Sequence, residues 1–532
     1  MSAPPFPSRW RKLFPSLAAL FAVTTLAGCA VGPDFERPPP PNITAYEAVP
    51  LPEKTESAPS ENGEAQSFAS GDDIPAEWWT LFHSEPLNQL IAQALKTNPD
   101  LDAASAALRE AHENMKAGEG AFFPSVDAGF GAEREKLSGL AFGANETIPP
   151  FTLYNASVSV SYGPDLFGGT RRQVEALEAA EDYQRFELEA ARITLTANVV
   201  TAAVQEASLR AQIAATQKII DDEQKQLALL QNQLRLGGIA KSAVLAQAAT
   251  LAQARSSLPP LEEQLAQTRH QLSVLAGQFP NQEPAGTFEL TSLTLPSTVP
   301  VSMPSKLVEQ RPDIRAAEAT LHAASAEIGV ATANMLPQIT LSGNIGEEAG
   351  LISSFFTPGT GIWSLAAGVT QPLFRGGTLL HQKRASEAAY DQAAAQYRKT
   401  VLVAFQNVAD SLHALQSDAD ALKADADAEH AAADSLSLSE QQYKDGAISY
   451  LALLTAEQTE QQTRLALVQA EARRFADTAA LFTALGGGWW NRVPDDAETS
   501  ADQVTQADDN QPMPPVTNIH SSTVDSNKTG DQ

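Results

Sequence analysis

Asn98-Pro99-Asp100-Leu101 leads into Phe123-Pro124-Ser125-Val126, and 213 residues later Arg311-Pro312-Asp313-Ile314 leads into Leu336-Pro337-Gln338-Ile339. The chain is written twice. Asp165-Leu166-Phe167-Gly168-Gly169 is answered by Pro372-Leu373-Phe374-Arg375-Gly376-Gly377, an offset of 208 when Gly168 is set against Gly376. Gly237 and Gly446, and Gly277 and Gly486, then stand 209 apart. The five-residue loss falls between Pro124 and Gly168, where a hairpin tip absorbs it. The final single-residue change falls inside a helical stretch and has no evident cause. Two halves of this size indicate a duplicated unit rather than a short-period solenoid.

Each half alternates two textures. From Gly168 to Arg235 there is no proline, and Ala, Gln, Glu and Leu dominate, all good helix formers. Ile213, Ile220, Leu227 and Leu234 recur every seventh residue, with Leu209 and Leu230 on the companion position, which is a coiled-coil seam. Such a helix is about 100 Å long at 1.5 Å per residue, far beyond globular norms. Gly237-Gly238 breaks it, and Ser242 to Gly277 returns as a second helix with a kink expected at Pro259-Pro260. The second half repeats this plan from Gly376 to Lys444, with a turn at Asp445-Gly446 and a return to Leu485. The reading is two long antiparallel helical hairpins.

Between the short and long helices the period changes to two. Val126, Ala128 and Phe130 alternate with Ser125, Asp127 and Gly129; Ala156, Val158, Val160 and Tyr162 alternate with Ser157, Ser159 and Ser161. The second copy sets Ile339, Leu341, Gly343 and Ile345 against Thr340, Ser342 and Asn344, then continues with Leu365, Ala367 and Val369. Alternation over about ten residues matches transmembrane β-strands or soluble hairpins with one face on helices. Phe122, Phe123, Phe151, Tyr154, Phe167, Trp363 and Phe374 fall at or near strand ends, where an aromatic girdle would sit.

The N-terminus chooses between these. Arg9, Arg11 and Lys12 precede the apolar stretch Leu13 to Thr25, and Leu26-Ala27-Gly28-Cys29 follows with the chain's single cysteine. The order resembles a bacterial lipoprotein signal, with Cys29 acylated as the first mature residue. Ala30 rather than Asp after Cys29 fits the outer membrane under the general sorting rule for such lipoproteins. In a bacterial envelope the strands are read as membrane-spanning. Four strands cannot close a barrel, and an open edge is not tolerated in lipid, so the barrel is shared; three chains give twelve strands.

Charge and composition exclude other classes. The chain has 36 Lys+Arg against 64 Asp+Glu, a net charge of −28, and removing the three leader cations makes it −31. That field repels nucleic acid. The eight histidines (His83, His112, His270, His322, His381, His413, His430, His520) never pair at i, i+3 or i, i+4, so no local metal pair, cofactor site or catalytic residue is indicated. No GxSxG, P-loop or GxGxxG occurs.

Cys29-Ala30-Val31-Gly32-Pro33-Asp34-Phe35, the duplicated strand-and-hairpin pattern and Thr483-Ala484-Leu485-Gly486-Gly487-Gly488-Trp489 together resemble the outer membrane factors, specifically NodT/OprM-type lipoproteins related to TolC. The resemblance covers Cys29 to about Asn491. It implies a mainly α, α+β membrane fold: a homotrimeric channel-tunnel with a shared 12-stranded β-barrel and a periplasmic α-barrel. It also implies a periplasmic adaptor and an inner-membrane pump, of RND type, as partners in efflux, beside the lipids of the outer membrane. Leu451 falls where relatives place a constricting leucine of the periplasmic gate. Thr455 stands where relatives often have an aspartate, so an acidic ring is not supported there. Gly237, Gly238 and Gly446 form the hairpin tips, where relatives meet the adaptor. The alternatives are a periplasmic coiled-coil adaptor or a non-channel envelope scaffold.

The expected organisation is a signal peptide (1–28), a Pro-rich tether (29–83), and a first repeat (84–280) with its β-hairpin at 122–167. A belt linker (281–303) joins a second repeat (304–490) with its β-hairpin at 335–375, and a disordered acidic tail (491–532) ends the chain.

Overall fold

A computed structural model describes residues 30–136, 138, 149–282, 284 and 286–492. Cys29, the tip of the first β-hairpin and the acidic tail from 493 on lie outside the described residues. Each repeat contains the same parts. The first has α1 (Glu85–Thr97), α2 (Pro99–Glu119), strands β2 (Ser125–Glu135) and β3 (Phe151–Tyr162), then α3 (Gly169–Arg235) and α4 (Lys241–Leu275). The second has α5 (Pro304–Gln310), α6 (Pro312–Ala333), β5 (Gln338–Ala349), β6 (Gly361–Thr370), α7 (Thr378–Lys444) and α8 (Tyr450–Ala484). The long helices have 67 residues and the return helices 35, in both halves.

That equality corrects the repeat alignment. Gly168 (φ 77°) and Gly377 (φ 86°) are the left-handed residues that precede α3 and α7. Gly168 therefore answers Gly377, not Gly376, and the offset is 209 from there through Arg235 and Lys444 to Leu275 and Ala484. The apparent single-residue change inside the helix does not exist. The glycine that turns the chain into the helix sets the register.

The paired prolines explain the repeated motifs. Asn98 and Arg311 are extended (ψ 123° at both), as a residue before proline prefers, and Pro99 and Pro312 open α2 and α6. Each reaches back to the end of its own return helix: Asn98 Nδ2 donates to the Leu275 carbonyl at 3.0 Å, and Arg311 donates to the Ala484 carbonyl at 2.7 Å. Gly277 and Gly486 close the same two joints, with φ 69° and 99°. A Cβ there would lie 2.2 Å from the Thr97 carbonyl oxygen and 2.8 Å from that of Gln310. Four motifs scattered in sequence are thus two copies of one joint.

Helix α4 runs through Pro259 and Pro260 without a break. The seam of α3 also differs from expectation. Ile213, Ile220, Leu227 and Leu234 are mostly half-buried, whereas the companion line Leu209, Thr216, Glu223 and Leu230 is fully buried. Two of those four are polar.

Within the expected tether, residues 30–83 do not hang free. The Val31 amide donates to the Phe167 carbonyl (2.9 Å), and the buried Arg172 holds the Val31 carbonyl (3.2 Å), Asp34 (2.6 Å) and Glu175 (2.7 Å). Phe35 stacks on His322 with centroids 4.3 Å apart, and Arg37 reaches Glu318 at 3.0 Å. Further on, β1 (Ser67–Ser70) pairs in parallel with β4 (Thr298–Val301) of the linker, forming a small belt sheet. Trp78 and Phe82 then enter the main core against Phe482 and Phe475, at 5.5 and 6.1 Å between rings. A proline-rich, polar composition reads as a linker. This one is pinned by partners 136 to 417 positions away, which local composition does not reveal.

Candidate functional site

The two β-hairpins join into one antiparallel sheet in the order β2-β3-β5-β6, leaving β2 and β6 as open edges. Its register sorts the side chains. Val126 lies opposite Val160, Val160 opposite Gly343 and Gly343 opposite Leu365; one row on are Ala128, Val158, Ile345 and Trp363. Cross-strand partners share a face. This face runs from Ile339 and Val369 at one end to Ala132, Tyr154 and Ala349 at the other, with Glu347 its single charged residue. The opposite face carries Ser125, Asp127, Asn155, Ser157, Ser159, Ser161, Thr340, Ser342, Asn344 and Ser364. Six apolar rows span roughly 34 Å along the strands at 3.4 Å per residue. At a tilt of about 40° that is about 26 Å of height, the apolar band of an outer-membrane barrel.

An apolar face of that height faces hydrocarbon, and the hydroxyl-rich face lines a water-filled lumen. The aromatic girdle is only partly as expected. Phe122, Phe123 and Phe374 are exposed at the base of the sheet, but Trp363 sits within the apolar belt and Phe151 has the parity of the lumen face.

At the far end of the long helices, two turns of one design close the hairpins. The Gly238 amide donates to Gln233 (2.9 Å) and that of Gly237 to Leu234 (3.0 Å); the Ala447 amide donates to Gln442 (2.8 Å) and that of Gly446 to Tyr443 (3.0 Å). Gly237 (φ 74°) and Gly446 (φ 75°) supply the left-handed residue that this helix ending needs. A Cβ at either would meet nothing within 4 Å, so conformation rather than space selects glycine.

Leu451, in the first turn of α8, is 69 % exposed in the chain. Thr455, one turn on, is also exposed and donates its hydroxyl to the Leu451 carbonyl at 2.9 Å. The two share a face that the chain's own helices do not cover. Leu453 and Leu454 take the buried side instead. Glu457 turns inward; burial, with Glu223 and Glu440 nearby, raises its carboxyl to about 7.

The turns are tied by a polar network that sequence reading missed. Glu223 of α3 is 3 % exposed. It accepts from Gln461 of α8 at 2.7 Å and from Gln247 of α4, whose side chain also donates to the Glu223 carbonyl at 3.2 Å. The Tyr450 hydroxyl donates to the same Gln247, and the Tyr443 ring packs 5.8 Å from that of Tyr450. Hairpin α3/α4 is thereby locked to α8. The signal was present: Glu223 interrupts the companion line of the seam, where an apolar residue is the default. By the 209-residue offset, Ala432 and Ala456 stand where the first repeat has Glu223 and Gln247, so this lock has no second copy.

Among the described residues no group of three or more His, Cys, Asp or Glu is placed to hold a metal ion, and no helix is long and apolar enough to cross a membrane. Cys29 lies outside the described residues. Ala30, its neighbour, lies against Gly168 near the base of the sheet, 2.5 Å from where a Cβ on that glycine would be.

Fold and site together define a class: a channel protomer with a membrane strand sheet at one end and two long helical hairpins at the other. The chain belongs to the outer membrane efflux protein family, whose sequence model matches residues 90–278 and 303–487, the two repeats in turn. It is 30 % identical to the pyoverdine export outer membrane protein OpmQ of Pseudomonas putida over 83 % of this chain and 94 % of that one. It is 29 % identical to the cation efflux system protein CusC of Escherichia coli O6:H1, over 90 % and 99 %. Among solved structures, the outer-membrane channel OprN superposes with a TM-score of 0.78 at 27 % identity, covering 87 % of this chain and all of that one. The protein is an outer-membrane efflux channel component, the exit duct of its system, and its helices extend into the periplasm.

Proposed function

We propose that three copies close the four-stranded sheet into a twelve-stranded barrel and the helical hairpins into a periplasmic tube. The tube works passively, with a periplasmic adaptor and an inner-membrane pump of the RND type supplying cargo and energy. The observation that carries this is the sheet itself: polar on one face, apolar on the other, open at both edges. An open edge in hydrocarbon leaves each backbone polar group short by several kcal/mol, and joining edges between copies removes that cost. Small molecules such as drugs fit a lumen lined by Ser, Thr, Asn and Gln without a shaped pocket. OpmQ and CusC are named for different cargo, pyoverdine and cations, so membership of the family does not by itself name the substrate.

In this assembly Leu451 and Thr455 face the axis at the periplasmic mouth, and the tips at Gly237, Gly238 and Gly446 meet the adaptor. Cys29 carries the lipid, inserted in the outer membrane beside the barrel; the docking of Ala30 and Val31 at the base of the sheet supports that height. Two measurements on detergent-extracted protein test the reading. Light scattering should give the mass of a trimer, and planar bilayers should show discrete conductance steps. A stable monodisperse monomer, or trimers without conductance, refutes it.

A further inference from the structure

The extracellular turn between β5 and β6 carries apolar side chains that the channel does not use. Leu351, Ile352 and Phe356 are 67, 63 and 78 % exposed. A turn in water is ordinarily polar, and a cluster of this kind marks an interaction surface.

Four observations bear on what covers it. Leu351 is extended (φ −135°, ψ 137°) and keeps the parity of Ile345, Glu347 and Ala349, so it prolongs the apolar face of the sheet upward. Phe355 folds back onto that face, its ring meeting Phe130 edge-on at 6.2 Å. Phe356 holds the left-handed φ of 64°, uncommon for a bulky residue, which sets its ring against Phe355 at 5.2 Å and away from any core. The turn also satisfies its own hydroxyls. The Ser354, Thr357 and Thr360 hydroxyls donate to the carbonyls of Leu351, Ser354 and Thr357 at 2.8, 2.7 and 2.7 Å, and their amides follow the same i−3 pattern. Hydroxyls bonded to their own backbone lower the cost of bringing a non-helical turn to the boundary between headgroups and acyl chains, where water still reaches the other amides.

We propose that this turn is an interfacial foot, lying against the outer leaflet with Leu351, Ile352 and Phe356 in the acyl-chain boundary. It continues the lipid-facing belt above Glu347, and it rests on the reading of the sheet as a membrane barrel. The contact of Phe355 on Phe130 bends the turn outward, away from the lumen.

The test uses the full trimer in phosphatidylethanolamine–phosphatidylglycerol vesicles. With Cys29 acylated, Phe356→Cys leaves one free thiol per chain for a nitroxide label, and Ile352→Cys is a second site should the first fold poorly. Ile345→Cys reports the middle of the belt and Asn344→Cys the lumen. The label at 356 should be relaxed several-fold more by oxygen than by a water-soluble nickel chelate, as at 345. Adding Phe355→Ser should shift it toward the chelate. If the chelate dominates at 356 while 345 still reports lipid, the foot is refuted and the barrel stands. Low access to both reagents at 356 assigns the patch to a neighbouring copy and also refutes it. An aqueous signal at 345 removes the barrel reading and the foot with it.

Discussion

Leu451→Ala separates a gate from a packing role because the structure makes the two costs unequal. A fully buried leucine contributes about 1.5–3 kcal/mol through burial, and its truncation in a core costs about 2–5 kcal/mol. Leu451 is 69 % exposed in the chain, so less than a third of it packs on its own helices. Scaling the burial figure gives about 0.5–1 kcal/mol for the fold of one chain. Any larger effect comes from the other copies at the axis. Leu451→Ala should leave expression and melting nearly unchanged, raise single-channel conductance in planar bilayers, and admit bulky antibiotics from outside. Thr455→Asp, one turn along the same face, should increase cation preference through an added carboxylate ring. Normal trimers with unchanged conductance and selectivity in both variants refute the placement of the gate. Loss of stability by several kcal/mol in Leu451→Ala would instead mean that Leu451 packs between copies as a structural contact rather than narrowing the mouth.

Cys29→Ser should abolish incorporation of labelled fatty acid while trimers still form, since a barrel in the bilayer does not depend on an acyl chain; label retained in the variant refutes the anchor. Gly486→Ala should lower the melting temperature more than Gly237→Ala. Both incur the left-handed penalty of about 1–2 kcal/mol, but only Gly486 also has a carbonyl 2.8 Å from the new Cβ; equal shifts would count against the joint. Glu457, raised to about 7, ionises less readily in the fold than in the unfolded chain. Its contribution to the tip is present below the usual carboxylate range and is lost as pH rises through about 7. Protection factors at the α4 and α8 ends of the tip, which correct exchange for its intrinsic base catalysis, should therefore fall between about pH 4.5 and about pH 7, and Glu457→Gln should flatten that fall.

Some of this protein is local in origin, and the sequence carried it. Helix length follows from propensity and the absence of breakers between Gly168 and Arg235, and the strands follow from period-two alternation. The duplication is visible because both halves bury the same joint and so keep the same proline and glycine. The tip glycines were legible as turn formers in the sequence itself, whereas the gate role of Leu451 and the adaptor contact at the tips came only through resemblance to relatives. What tertiary structure decided depends on partners far along the chain. Whether a proline-rich segment hangs free or lies pinned rests on Arg172, His322 and Glu318, none within 100 residues of their partners Asp34, Phe35 and Arg37. Which line of a seam is buried depends on the neighbouring hairpin, so Glu223 became the centre of a lock that periodicity alone would fill with leucine. The polar and apolar faces of the sheet were each written in single strands. Only the register across four of them turned four alternations into one wall with a wet side and a lipid side, because cross-strand pairing, not sequence, puts Val126, Val160, Gly343 and Leu365 in one row.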